Sequence, residues 1–192
     1  MKRAVILHCF QGTSASHWYP WLKQQLENYG YEVWAPDMPH NHQPNARETT
    51  DFLLANKEWD FNDNLLIGHS WGAVQAMHLL QNLPHTQQVK TAVLVSAFTS
   101  ELPDKFEWSH PLAGLFNEPF DYGVIKSKAR KLLFIHGDND SVCDPKRAEW
   151  LAQQVGGEYT EVPGGKHFST SGDPSYSEFP ALIKILKDRD LL

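Results

Sequence analysis

"LLIGHSWGAVQAM", residues Leu65–Met77, decides the fold. Leu65, Leu66 and Ile67 are apolar and strand-prone, while Ala73, Val74 and Ala76 suit a helix. Between them lies Gly68-His69-Ser70-Trp71-Gly72, a serine with a glycine two residues to either side. A turn from strand directly into helix holds such a serine clear of the backbone, at the expense of strain in its own dihedrals. Side chains at 68 and 72 would strike the neighbouring strand and helix, and glycine removes the collision. The helix start also aims unpaired N–H groups at the space before Ser70, the N–H of Trp71 among them. Chance alone produces G-x-S-x-G in about one chain in twenty of this length. A glycine-rich turn with an exposed serine is the plain alternative, so the rest of the chain must carry the weight.

Working outward, strand-like and helix-like runs alternate. Arg3–Cys9, Tyr31–Asp37, Asn64–Gly68, Lys90–Phe98, Arg130–Gly137 and Glu158–Pro163 read as strands. Helical patterns cover Trp18–Tyr29, closed by Gly30, then Asn45–Lys57, Trp71–Leu83 before Pro84, Pro145–Val155 and Tyr176–Lys187. Such alternation with apolar strands predicts an α/β fold: about six mostly parallel strands with helices on both faces. Ligands then bind beyond the carboxyl ends of the strands. His8–Gly12 follows the first strand, Ser70 the third, Asp138 and Asp140 the fifth, and His167 the sixth.

Those residues are the ingredients of acyl transfer. A serine hydroxyl needs a base, and the base a third group to orient it. "LLFIHGDNDSVCDP" offers two acids for that place, Asp138 and Asp140, and "EVPGGKHF" presents His167 on a glycine-rich loop. The chain order Ser, Asp, His is the order of α/β-hydrolases. His69 is predicted to point away from its neighbour Ser70, as a packing or hydrogen-bonding residue.

The 192 residues suit one domain, with a short possible cap at 98–128. Net charge is −6 with the two signs well mixed, which disfavours nucleic acid or an anionic membrane as partner. "MKRAVILHCF" only faintly imitates a signal peptide, and no apolar run reaches membrane-spanning length. A cytoplasmic location is expected. Cys9 and Cys143 read as small buried hydrophobes rather than a disulfide. No Cys/His spacing suits structural zinc, and His40 with His42 reads as polar loop rather than metal pair. No metal or cofactor is expected.

Through "GHSWGA", "HGDNDSVCDP" and "PGGKHF" the chain resembles the α/β-hydrolases. Its opening "ILHCFQGTSASHWYPWLKQQLENYGYEVWAPDMPH" resembles the small YdeN-like and retinoblastoma-binding-protein-9-like serine hydrolases. The resemblance implies a compact sheet in strand order 2-1-3-4-5-6. It implies Ser70 as nucleophile, His167 as base, and Asp140 rather than Asp138 as orienter, since His136, Gly137 and Asp140 match H-G-x-x-D. The oxyanion donors would be the N–H groups of Phe10 and Trp71, with Gln11 an alternative. Cys9 stands where a glycine is usual. "LHCFQ" has Gln11 where an L-x-C-x-E motif needs glutamate, so no pocket-protein partner is expected.

The implied activity is cleavage of carboxylic esters of a small-molecule acyl substrate through an acyl-enzyme. Amidase, aminopeptidase, thioesterase and acyltransferase activities would use the same three residues. A catalytically idle binding module would use the same scaffold. Phe98, Phe106, Trp108, Phe116, Phe120 and Tyr122 are expected to line an open acyl pocket, with Gln11, Phe106 and Trp108 as substrate contacts and Trp71 near its mouth; Trp18 is a second candidate for the mouth, although its helical spacing favours the core. A satellite core under a long loop is the alternative for these rings.

Overall fold

A computed structural model describes residues 1–99 and 111–192. Strands β1 (Lys2–Leu7), β2 (Tyr31–Trp34), β3 (Leu65–His69), β4 (Val89–Val95), β5 (Ala129–Gly137) and β6 (Glu158–Val162) form one parallel sheet in the order β2-β1-β3-β4-β5-β6. This is the order that the resemblance implied. The chain leaves β1 toward one edge and returns to build β3 on its other side. Loops after β1 and β3 therefore diverge, which opens a crevice at the carboxyl ends of these two strands.

Alternate strand residues feed two apolar layers. Ala4, Ile6, Leu65, Ile67, Val93, Val95, Leu133 and Ile135 face α1 (Tyr19–Asn28) and α6 (Pro180–Lys187). Val5, Leu7, Leu66, Ala92, Leu94 and Phe134 face α2 (Ala46–Ala55), α3 (Trp71–Asn82) and α5 (Pro145–Val155). Leu182, Ile183 and Leu186 of α6 are buried, and each such side chain contributes roughly 1.5–3 kcal/mol. Helix α3 is buried at every position from Trp71 to Leu80. Its small residues Gly72, Ala73 and Ala76 let it lie close against the sheet.

The helix ends follow local chemistry. Asn45 caps α2 by accepting from the N–H groups of Arg47 and Glu48, and Asp144 caps α5 through Lys146. Each cap is worth about 1 kcal/mol. Gly156, at φ 64°, closes α5 in the left-handed conformation that glycine adopts freely.

Two elements differ from the sequence reading. A further helix, α4 (Tyr122–Ser127), has only six residues, too few to show a period, and is started by Asp121 accepting from Val124 N–H. The last helix begins at Pro180, not near Tyr176. Residues Pro174–Ser177 form a separate 3-10 turn capped by Asp173, and Glu178, in extended backbone, parts it from the helix that starts at Pro180. Among the described residues no helix is long and apolar enough to cross a membrane. Phe106 and Trp108, with most of the first half of the expected cap, lie outside the described residues.

Candidate active site

Ser70 joins β3 to α3 with φ 55° and ψ −117°, a strained conformation for a residue with a side chain. Its N–H donates to Val95 O at 2.8 Å, which ties the turn to β4. A Cβ on Gly68 would lie 2.2 Å from Gly72 O, and one on Gly72 would lie 2.1 Å from Leu7 O. Neither distance is possible, so only glycine lets β1, β3 and α3 close up around the serine. The Ser70 hydroxyl does not cap its own helix. It donates instead to His167 Nε2 at 3.0 Å, and His167 Nδ1–H donates to Asp140 Oδ2 at 2.8 Å. Three loops, after β3, β5 and β6, thus meet at hydrogen-bonding range.

The buried Asp140 carboxylate is the hub of its loop. Oδ2 accepts from His167 Nδ1, Ser96 Oγ at 3.1 Å and His136 Nε2 at 3.2 Å, while Oδ1 accepts from the N–H groups of Val142 at 2.8 Å and Cys143 at 3.0 Å. Burial alone would raise its pKa. The hydrogen bonds from His136 and His167, the nearby imidazole charge and the Cys143 N–H outweigh burial and hold it well below the usual carboxylate range. Cys143 Sγ also lies close to Asp140 and His167, with candidate ligand atoms within 4.8 Å of one another. Because the carboxylate oxygens already serve these donors, the cluster fits a hydrogen-bonded hub better than a metal site. His40 Nε2 sits 3.4 Å from Glu48 on the surface.

The His167 loop is gripped along its backbone. Lys166 and Phe168, on either side of the histidine, have φ of 51° and 52°, so the loop is strained where it presents the imidazole. Asp138 Oδ1 accepts from Gly164 N–H at 2.8 Å, and Asn139 Oδ1 accepts from Lys166 N–H at 2.7 Å. A Cβ on Gly137 would lie 2.2 Å from Lys166 O, so this glycine admits the loop. Trp18 Nε1–H donates to Phe168 O at 2.9 Å. His69 Nε2–H donates to His167 O at 2.8 Å.

That last bond fixes the His69 tautomer. Its Nδ1 must accept, and Tyr19 O–H donates to it at 2.6 Å. Tyr19 oxygen in turn accepts from Cys9 N–H at 3.0 Å. Burial first, then the neighbouring His167, lower the His69 pKa well below its ordinary value, which keeps the single proton this chain of bonds requires. Tyr19 and His69 so connect the loop after β1 to the loop of His167. His69 points away from Ser70, as its position next to the turn predicts.

The loop after β1 is equally determined. Cys9 O accepts from His8 Nδ1–H at 2.9 Å and Gly12 N–H at 3.1 Å, and His8 Nε2 accepts from Met38 N–H at 2.8 Å. The chain turns at Gln11, φ 56°, rather than at Cys9, so a side chain is accommodated where a glycine is usual. Gln11 N–H is already engaged with Asn41 O at 3.0 Å and the residue is exposed. It is therefore neither a spare oxyanion donor nor part of the cavity wall. Among the described residues the N–H groups of Phe10 and Trp71 meet no acceptor.

A cavity of about 220 Å³ opens at Ser70 and His167. It is smaller than the ~300–1,000 Å³ of pockets for drug-sized ligands, so it suits a small molecule. Cys9, Phe10, Phe98, Leu112, Val142 and Cys143 give it an apolar wall, and His17, Ser169 and Ser171 a polar one. Trp18 and Trp71 do not line its mouth. Both are fully buried, Trp18 in the layer under α1 and α6, and Trp71 in the opposite layer with its ring edge-on to His8. Of the described rings between 98 and 128, Phe98 lines the cavity. Phe116 packs between Phe98 and Phe120, Phe120 lies tilted against His78 at 4.5 Å, and Tyr122 meets Trp150 edge-on at 5.9 Å; Phe116, Phe120 and Tyr122 are partly buried against the apolar layer of α3 and α5. His17, Tyr19, Ser96, Leu112 and Val142 belong to the site without any motif to announce them.

Whole-chain comparisons show the family and the fold. A family model described as Serine hydrolase matches residues 4–188. The hydrolase YdeN of Bacillus subtilis (strain 168) is 27% identical over 185 residues, covering 96% of this chain and 94% of YdeN. The crystal structure of that gene product superposes with a TM-score of 0.87 at 26% identity, over 98% of each chain. The serine hydrolase RBBP9 of Rattus norvegicus is 28% identical over 179 residues, 92% of this chain and 88% of RBBP9. Est1E from Butyrivibrio proteoclasticus shares the fold, with a TM-score of 0.71 at 19% identity over 99% of this chain and 87% of its own. With the family model running from β1 into the last turn beyond α6, the chain belongs to the serine hydrolase family on an α/β-hydrolase fold.

Proposed function

We propose that the chain hydrolyses carboxylic esters of small acyl substrates through an acyl-enzyme at Ser70. One observation carries this proposal: the unbroken path from Ser70 Oγ to His167 Nε2 at 3.0 Å and from His167 Nδ1 to Asp140 Oδ2 at 2.8 Å. Ser70 oxygen attacks the ester carbonyl while its proton passes to His167 Nε2. Asp140 keeps the other proton on Nδ1 and stabilises the imidazolium. The N–H groups of Phe10 and Trp71 receive the oxyanion. The tetrahedral species collapses, His167 protonates the departing alkoxide, and a water activated by the same imidazole releases the acid. The unpaired cysteines Cys9 and Cys143 support a reducing compartment, the cytoplasm.

The test has two arms. A fluorophosphonate probe is expected to label the wild type and not Ser70→Ala; a folded wild type that resists labelling would favour an idle binding scaffold. A panel of esters, thioesters and aminoacyl amides with graded acyl lengths then ranks the bonds cleaved. Esters of short acids are expected to lead, and a lead for thioesters or amides would replace the ester assignment.

A further inference from the structure

We infer that His17 is a specificity-determining residue that hydrogen-bonds the leaving group, so that the preferred esters carry an acceptor oxygen in their alcohol portion. This rests on the ester hydrolysis proposed above. His17 lies in the loop between β1 and α1 and lines the cavity beside Ser70 and His167. Its backbone has φ 50°, a conformation costly for a residue with a side chain. The ring packs at nearly right angles to Tyr19 and His69, and its hydrogen bonds anchor it at Nδ1. Thr170 N–H donates to His17 Nδ1 at 3.1 Å, and the Thr170 hydroxyl lies 2.8 Å from the same atom. A backbone N–H can only donate, so Nδ1 is the acceptor and the proton of the neutral ring is on Nε2. Among the described residues Nε2–H meets no acceptor, and it is not sealed in the interior.

The place of this donor follows from the chemistry. The group that His167 protonates as it departs must leave alongside the imidazole. Two polar segments flank that route: His17 from one loop, and Ser169 to Ser171 from the loop of His167 itself. The hydroxyls of Ser169 and Ser171 share one hydrogen bond at 3.0 Å, which uses the proton of one of them, while His17 Nε2–H stands as a ring donor fixed in direction by its Thr170 contacts. The apolar part of the lining, with Phe98, Leu112 and Val142, suits the acyl chain. Burial and the nearby His167 lower the His17 pKa, so the neutral ring with one outward donor is the favoured form.

An isosteric pair of substrates isolates the contact: n-butyl butanoate and 2-methoxyethyl butanoate, which differ by one oxygen in place of one methylene. The readout is the ratio of kcat/KM for the ether ester to that for the alkyl ester, compared between variants so that intrinsic leaving-group reactivity cancels. One hydrogen bond predicts that the wild-type ratio exceeds that of His17→Phe by about three- to tenfold. His17→Asn retains an acceptor for Thr170 N–H but loses the outer donor, and its ratio is expected to fall with that of His17→Phe. His17→Gln places an amide N–H near the Nε2 position and is expected to keep part of the preference. Equal ratios in wild type, His17→Asn and His17→Phe overturn the assignment. Fluorophosphonate labelling of each variant separates this failure from the other: labelling with equal ratios sinks only the role of His17, while a wild type that does not label removes the ester hydrolysis beneath it.

Discussion

Asp138 and Asp140 leave the same strand two residues apart, and both grip the loop after β6, yet they hold different parts of it. Asp138 is exposed and accepts the backbone N–H of Gly164; Asp140 is buried and accepts the imidazole of His167. Asn139, between them, holds Lys166 N–H. One acid therefore places the chain and the other places the side chain. The difference teaches that a carboxylate near the histidine proposed as base has two ways to serve it, and only the buried, fully hydrogen-bonded one would bear on the charge the imidazole acquires.

The comparison can be broken or sharpened by measurement. Ser70→Ala sets its floor: kcat on p-nitrophenyl acetate should fall by roughly 10⁶, and a loss under a hundredfold would mean another residue attacks. Asp140→Asn comes next, with a fall of about 10⁴ at intact secondary structure, because an amide holds the wrong tautomer. The same substitution tests stability against pH. Asp140 has a depressed folded pKa, so its contribution is fully present above the unfolded value of about 4 and is lost as pH falls toward the folded value. The stability gap between wild type and Asp140→Asn in urea titrations should be constant from pH 7 to about pH 5 and shrink below about pH 4. A gap that widens on acidification would reverse the sign assigned here.

Smaller effects separate the donors around the carboxylate from the outer acid. Ser96→Ala removes one of the hydroxyl and N–H donors to Asp140 and should lower kcat by about three- to tenfold, roughly the worth of one hydrogen bond. Asp138→Asn keeps an oxygen for Gly164 N–H, and kcat should change by less than about twofold; its hydrogen bond is worth only ~1 kcal/mol. If steady-state rates of Asp138→Asn matched those of Asp140→Asn, the division of labour between the two would collapse.

Much of this site was legible in the residues. Gly68, Ser70 and Gly72 announced the turn because a strained strand-to-helix junction tolerates no side chain at 68 or 72, and the 2.1–2.2 Å approaches show why. The two acids, by contrast, could not be separated by spacing, since both lie just past β5; the resemblance, not the chemistry of the residues, preferred Asp140. Tyr19 and Ser96 were invisible because a hydroxyl on a helix or after a strand acquires meaning only from what packs against it. Trp71 was misplaced at the mouth because ring size says nothing of the direction in which a ring points, whereas the helical spacing of Trp18 favoured the core place it takes. Helix α4 was missed because six residues do not make a period.

The sequence by itself determined the alternation of strands and helices, the sharp turn at Ser70 and the order in which the reactive groups occur, because these depend on local apolar periodicity and on steric limits of a few consecutive residues. Only the tertiary structure decided which acid meets His167, which N–H groups stay open, and which nitrogen of His69 and His17 carries the proton. Those outcomes depend on hydrogen bonds between residues as far apart as 153 positions, and such pairings exist only once the sheet has brought the strand ends together.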